Sequence, residues 1–94
     1  MKLAVVLTPR AKETFIAVIL QIKDKWGDHS AHKFVERTYQ VLDTIAQRPY
    51  LFKPYQEENV RKAFITKQTS LVYRVAVNQI EVLFFWDNRQ EPIF

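Results

Sequence analysis

Residues 60–86, VRKAFITKQTSLVYRVAVNQIEVLFFW, contain three β-type runs, 60–66, 71–77 and 80–86, joined by connections of hairpin length. Turns at Gln68-Thr69 and Asn78-Gln79 make them an antiparallel meander and set which side chains share a face. One face then collects Val60, Phe64, Leu71, Tyr73, Val75, Val77, Ile80, Val82, Phe84 and Trp86, with Lys62 as its only charge. Such a face has to be covered. The other receives Arg61, Ala63, Ile65, Ser70, Val72, Arg74, Ala76, Glu81, Leu83, Phe85 and Asp87, a mixture expected to be wet or to meet a partner. On a solvated face, Arg74 and Glu81 make a cross-strand ion pair.

The cover for the apolar face lies upstream. Residues 2–7 alternate Leu3, Val5 and Leu7 and read as a strand. Thr8 can cap a helix with Pro9 at its first position, and Ala11, Phe15, Val18, Ile19, Ile22 and Trp26 follow at helical spacing up to Gly27, the one glycine. Ser30 can cap a second helix that turns Phe34, Val35, Val41, Leu42 and Ile45 inward and stops before Pro49. Residues 49–59, PYLFKPYQEEN, show no period and read as an ordered loop held by its rings. The predicted class is α+β: a strand, a two-helix hairpin, then a three-stranded meander, with the helices on one face of the sheet, in one domain over 1–94.

The composition narrows the function classes. The chain has 94 residues and no cysteine, which removes disulfides and thiolate metal sites and suits a cytoplasmic setting. MKLAVVL is too short for a signal-peptide core, and no apolar run approaches the roughly 20 residues of a membrane span. A single glycine leaves no room for a glycine-rich phosphate loop. His29 and His32, three apart at the start of the second helix, are read as solvated rather than as metal ligands, so neither metal nor cofactor is expected. The net charge of +4 favours nucleic acid or an acidic protein partner.

RNA cleavage by general acid–base chemistry needs a proton donor, an acceptor and cations around the phosphate. Arg61, Arg74 and Arg89 can supply the cations. The proton carrier is harder to find: the meander has no histidine, Tyr73 has core parity, and Asp87 and Glu81 sit near arginines that would lower their pKa. Alternation turns Phe84 and Trp86 inward and leaves Phe85 as the ring able to stack on a base.

The order of elements, with LTPRAKE, WGDHSAHKF, VRKAFITKQTSLVYRV and the ending IEVLFFWDNRQEP, resembles the RelE/ParE superfamily of toxins from bacterial type II toxin–antitoxin (plasmid stabilisation) modules, over nearly the whole chain. The resemblance implies a cognate antitoxin as partner and growth arrest when the toxin is free. Its targets split into DNA gyrase for ParE-like members and the ribosome with its mRNA, cut in the decoding site, for RelE-like members.

The RelE-like pattern of basic residues matches Arg61, finds Ala63 and Ser70 at two further basic positions with Arg74 displaced along the strand, and matches Arg89 after the last strand. The family's C-terminal tyrosine finds no counterpart. The resemblance makes Arg61, Arg74 and Arg89 the catalytic candidates and sets Gln90 beside them, and the reading of the sheet face and its rim adds Lys67, Glu81, Phe85 and Asp87 to Gln90 as the binding candidates. The leading expectation is a toxin that blocks a macromolecule such as gyrase. The alternatives are a ribosome-dependent mRNA endonuclease, in which Arg61→Ala would abolish toxicity with the fold intact, and an inactive relative that serves only operon regulation.

Overall fold

In a computed structural model, which describes residues 2–88, strand β1 (Ala4–Leu7) passes into helix α1 (Pro9–Trp26) at Thr8. Thr8 is extended, and its hydroxyl accepts the Ala11 N–H at 3.1 Å, the cap that its sequence position predicts. Gly27 ends α1 with φ +94° and ψ 177°, a backbone state closed to side-chain-bearing residues, and donates its N–H to the Lys23 carbonyl at 2.9 Å. Its own carbonyl accepts from Ala31 at 3.2 Å, so helix α2 (Asp28–Gln47) starts at once. Ser30 is therefore inside α2 rather than its cap, because the turn is made by the backbone of Gly27 alone. Asp28 places a carboxylate in the first turn, where the helix dipole favours it.

Four more strands follow: β2 (Lys53–Tyr55), β3 (Glu57–Phe64), β4 (Thr69–Val75) and β5 (Gln79–Asp87). The sheet order is β1-β5-β4-β3-β2, with β1 parallel to β5 and every other pair antiparallel. The class is the predicted α+β, with the helical hairpin against one face of the sheet. The added strand, β2, comes from the stretch read as a loop. Only three residues long and without alternation, it gives no sequence signal, and as an edge strand it tolerates Pro54 opposite Arg61.

The predicted assignment of faces is wrong in two strands, for separate reasons. Between β3 and β4 the pairing centres on Lys67, with Phe64 opposite Ser70, so an odd number of residues separates the paired positions where the expected two-residue turn leaves an even number. That odd residue sends the whole strand to the opposite face. Arg61, Ala63 and Ile65 therefore point to the helices, and Val60, Lys62 and Phe64 point away. In β5, Val72 lies opposite Phe84 but Tyr73 lies opposite Val82, which leaves Leu83 as an extra residue in a β-bulge. Parity reverses there, so Ile80, Val82 and Phe85 face the helices while Phe84 and Trp86 do not.

Helix α1 holds the bulge in place. The Thr8 hydroxyl lies 2.9 and 3.0 Å from the carbonyls of Val82 and Leu83, and Thr14 Oγ1 accepts the Phe85 N–H at 2.9 Å. These contacts satisfy backbone groups at the register change. Phe85, 3 % exposed, stacks on Phe15 at a centroid distance of 4.8 Å, and Phe15 meets Phe34 at 5.9 Å. Around this aromatic stack the core gathers Ala11, Leu42 and Ile45 from the helices, and Ala63, Ile65, Leu71, Val75, Ile80 and Val82 from the sheet. Val77 and Trp26, expected inside, are exposed: Val77 sits in the β4–β5 turn and Trp26 on the last residue of α1. Among the described residues no helix is long and apolar enough to cross a membrane.

Tyr73 is fully buried, as its parity predicts, and its hydroxyl donates to the Pro49 carbonyl at 2.6 Å, tying β4 to the end of the helical hairpin. Burial pushes its pKa from 10.0 up to about 12, against the opposing pull of the nearby Arg61 charge. The unfolded chain releases this proton near 10 and the folded chain holds it to about 12. Tyr73 thus contributes stability that is complete below pH 10 and is lost as pH rises toward 12. Thermal unfolding of Tyr73→Phe beside the parent chain, over roughly pH 9 to 12, checks this. The parent's melting temperature should fall more steeply with pH, and parallel curves would refute the assignment.

Candidate functional site

The sequence-predicted site residues do not form one cluster. Arg61 is the most displaced. It is 6 % exposed, on the helix side of the sheet, and its guanidinium is consumed by the fold. Nε donates to the Glu58 carbonyl at 2.9 Å, Nη1 to the carbonyls of Phe52 at 2.8 Å and Tyr50 at 3.4 Å, and Nη2 to Glu58 Oε1 at 2.5 Å. The Tyr50 ring lies 4.9 Å beneath the guanidinium carbon. This set of bonds fastens the segment after α2 to the β2–β3 hairpin. Phe85 is likewise core and not an exposed stacking ring. Arg89 and Gln90 lie outside the described residues.

Arg74 and Glu81 face away from the helices, as expected, and stand opposite each other at 3.8 Å, with their side chains 48 % and 32 % exposed. Around them the outer face of the sheet alternates cations with rings. Arg10 from the start of α1 lies 4.5 Å over Phe84, and Lys62 lies 5.6 Å from the Tyr55 ring and 5.7 Å from Phe64. Phe84 meets Trp86 edge-on at 6.1 Å. Trp86 is half-buried, with its indole N–H lacking a hydrogen-bond partner among the described residues. A shallow depression between β2–β3 and β5 is lined by Tyr55, Glu57, Val72, Arg74 and Phe84.

The sequence reading missed Arg10, Lys62, Tyr55 and Phe64 as members of this surface. One signal was available: Lys62 was the lone charge on a supposed core face, a conflict that a turn of odd length removes.

Lys67 and Asp87 belong to a second surface, formed by the helical hairpin and the β3–β4 turn. There the C-terminal half of α1, the N-terminal half of α2 and the β3–β4 turn enclose a cleft of about 300 Å³. Val18, Ile22 and Phe34 supply apolar walls, while Lys25, Lys33, Arg37 and Lys67 supply positive charge, with Asp87 the one carboxylate among the described lining residues. The turn carrying Lys67 is fixed by the Thr66 hydroxyl, which accepts from the N–H groups of Gln68 and Thr69, and by the Asn88 amide, which donates to the Lys67 carbonyl at 3.2 Å. Arg37 is anchored through Nε to the Ile65 carbonyl at 2.5 Å.

Among the described residues no group of three His, Cys, Asp or Glu side chains could hold a metal ion. His29 and His32 are exposed on α2, His32 lying 3.4 Å from Glu36, remote from the sheet face opposite the helices.

A helical hairpin laid on one side of a small, mostly antiparallel sheet, leaving a basic and aromatic face on the other, is the architecture of the RelE/ParE-like fold. The chain belongs to the family of ParE toxins of type II toxin–antitoxin (parDE) systems, whose model matches residues 5–92, and it is the toxin component of such a system.

Solved structures share the fold. One is the chromosomal ParDE system of P. aeruginosa, with a TM-score of 0.78 at 18 % identity over 92 % of this chain and 96 % of that one. Another is the RelBE2 complex of Mycobacterium tuberculosis, with 0.64 at 16 % over 94 % and 100 %. A third is the YoeB dimer of Staphylococcus aureus, with 0.64 at 18 % over 89 % and 94 %. No individually curated protein matches the chain.

Proposed function

We propose that this toxin acts in the cytoplasm by binding and blocking a macromolecular target such as DNA gyrase, and that a cognate antitoxin neutralises it by covering its surface. The observation that carries the non-catalytic reading is the burial of Arg61. The residue that the resemblance puts in contact with RNA spends its guanidinium on three backbone carbonyls and one carboxylate inside the fold. Tyr73, in the middle strand of the meander, is equally enclosed, with its proton held by burial. On the outer face the described acid–base groups are the Tyr55 phenol and the carboxylates of Glu81 and Glu57, and Glu81 is paired with Arg74.

The antitoxin reading draws on the family, and on the RelBE2 and ParDE relatives, which were solved as toxin–antitoxin systems. A second reading, ribosome-dependent mRNA cleavage, draws on the alternation of Arg10, Lys62 and Arg74 with Phe84, Tyr55 and Phe64, a pattern suited to phosphates and stacked bases.

Incorporation of labelled thymidine and labelled methionine in the minutes after induction, in a host without the antitoxin, separates the two. Thymidine incorporation is expected to fall first. A prior fall in methionine incorporation would make the ribosome the target, and no fall in either would make the chain an inactive relative.

A further inference from the structure

We propose that the cleft at the α1–α2 turn is a docking site for an acidic, amphipathic segment of the antitoxin, anchored by an apolar side chain between flanking carboxylates. The proposal rests on the antitoxin reading above and assigns the surface and the chemistry that the partner must carry.

Charge is the first argument. Among the described residues four cations line the cleft against one carboxylate, and they come from three separate elements, α1, α2 and the β3–β4 turn, so the fold brings them together. Like charges converging on one cavity cost free energy that a negatively charged occupant would relieve.

The second argument is the wall. Val18, Ile22 and the nearly buried Phe34 give the cavity an apolar interior of about 300 Å³, room for an aliphatic or aromatic side chain. At its rim Trp26 is 66 % exposed. An indole left in water beside an apolar cavity has the character of an interface anchor.

These features favour a protein over a nucleic acid. Phosphates would suit the cations and the Trp26 indole a base, but Val18 and Ile22 make the wall of the cavity itself aliphatic, and the described ring–cation contacts of Arg10 and Lys62 lie on the far side of the sheet. The occupant also cannot be uniformly acidic, because the cavity would then bury carboxylates against Val18 and Ile22.

The test uses the full toxin and the product of the small reading frame adjacent to its gene. In a Trp86→Phe background Trp26 is the remaining tryptophan, and its emission reports on the cleft during a titration. Lys33→Glu and Lys67→Glu, combined, change two exposed lining residues and leave Arg37 at its structural post. Circular dichroism confirms that the variant folds.

The expected result is a change in Trp26 emission on complex formation and an affinity about 100-fold lower in the double variant, with a weaker salt dependence. An affinity unchanged by the double substitution would overturn the cleft assignment while leaving the antitoxin reading in place. No complex with the unaltered toxin would overturn both. A 12-nucleotide single-stranded oligonucleotide that binds the unaltered toxin and loses binding on the same substitutions, with the protein complex unaffected, would make the cleft a nucleic-acid site and refute the proposal.

Discussion

Phe85→Ala is expected to destabilise the protein by about 3–5 kcal/mol, whereas Phe84→Ala and Trp86→Ala each cost less than about 2 kcal/mol. The three rings are consecutive, and strict alternation predicts the opposite ranking. The difference comes from Leu83, the extra residue of the β5 bulge. Beyond it Phe85 turns inward, 3 % exposed, and fills the space between Phe15 and the sheet. Truncation there removes a large buried ring and its stacking partner and leaves a cavity that the helices, pinned to β5 through Thr8 and Thr14, cannot close. Phe84 and Trp86 lose partial burial and contacts with Arg10 and each other. Urea midpoints of the three variants give the ranking directly. Equal losses for Phe84 and Phe85 would mean that the bulge is absent in solution.

The bulge also marks where the sequence stops being readable. The helices are legible because their signals are local. Thr8-Pro9 caps and starts α1, Gly27 closes it, and Pro49 follows the end of α2, each acting within a few residues of where it stands. The meander is legible as three apolar runs.

What is not local is register. The turn between β3 and β4 is fixed by the Thr66 hydroxyl, which caps the N–H groups of Gln68 and Thr69, in place of a two-residue glycine or asparagine signal. The bulge is fixed by two threonines of α1, Thr8 at 74 and Thr14 at 71 positions from their β5 partners. Both errors exchange faces without moving an element.

They matter for the site more than for the fold. The slip in β3 put Arg61 on the outer surface and hid Lys62 in the core. The bulge in β5 exchanged Phe85 with Phe84 and Trp86. Arg74 and Glu81 were placed on the correct face because the β4–β5 turn moves by one whole residue, from Asn78-Gln79 to Val77-Asn78, which changes the partners to Val75 opposite Ile80 and Tyr73 opposite Val82 but keeps the parity. The cleft was not legible, since α1, α2 and the β3–β4 turn meet only in the folded chain.

Arg61→Ala is the substitution on which the two readings of this toxin diverge most, and a loss of about 3–4 kcal/mol is expected from it. Removing the guanidinium leaves the carbonyls of Tyr50, Phe52 and Glu58 without their donor and releases the segment after α2 from the β2–β3 hairpin. Arg61→Lys should recover little, because an ammonium cannot reproduce a fork that serves several acceptors in one plane.

Arg74→Ala is the counterpart. Its partner Glu81 stands 3.8 Å away on a half-exposed face, so less than about 1 kcal/mol is at stake. A small domain has only about 5–15 kcal/mol in hand, so Arg61→Ala will lower the amount of folded toxin in the cell. Its apparent toxicity will fall in proportion to the soluble protein. Toxicity lost on Arg74→Ala at a native urea midpoint, in contrast, would locate the target on the outer face of the sheet.

The decisive comparison is toxicity per unit of folded protein. If Arg61→Ala keeps a native urea midpoint yet abolishes growth arrest, its guanidinium acts on a substrate and the toxin cuts RNA. If growth arrest follows the folded fraction, Arg61 belongs to the architecture, and the toxin works by occupying its target.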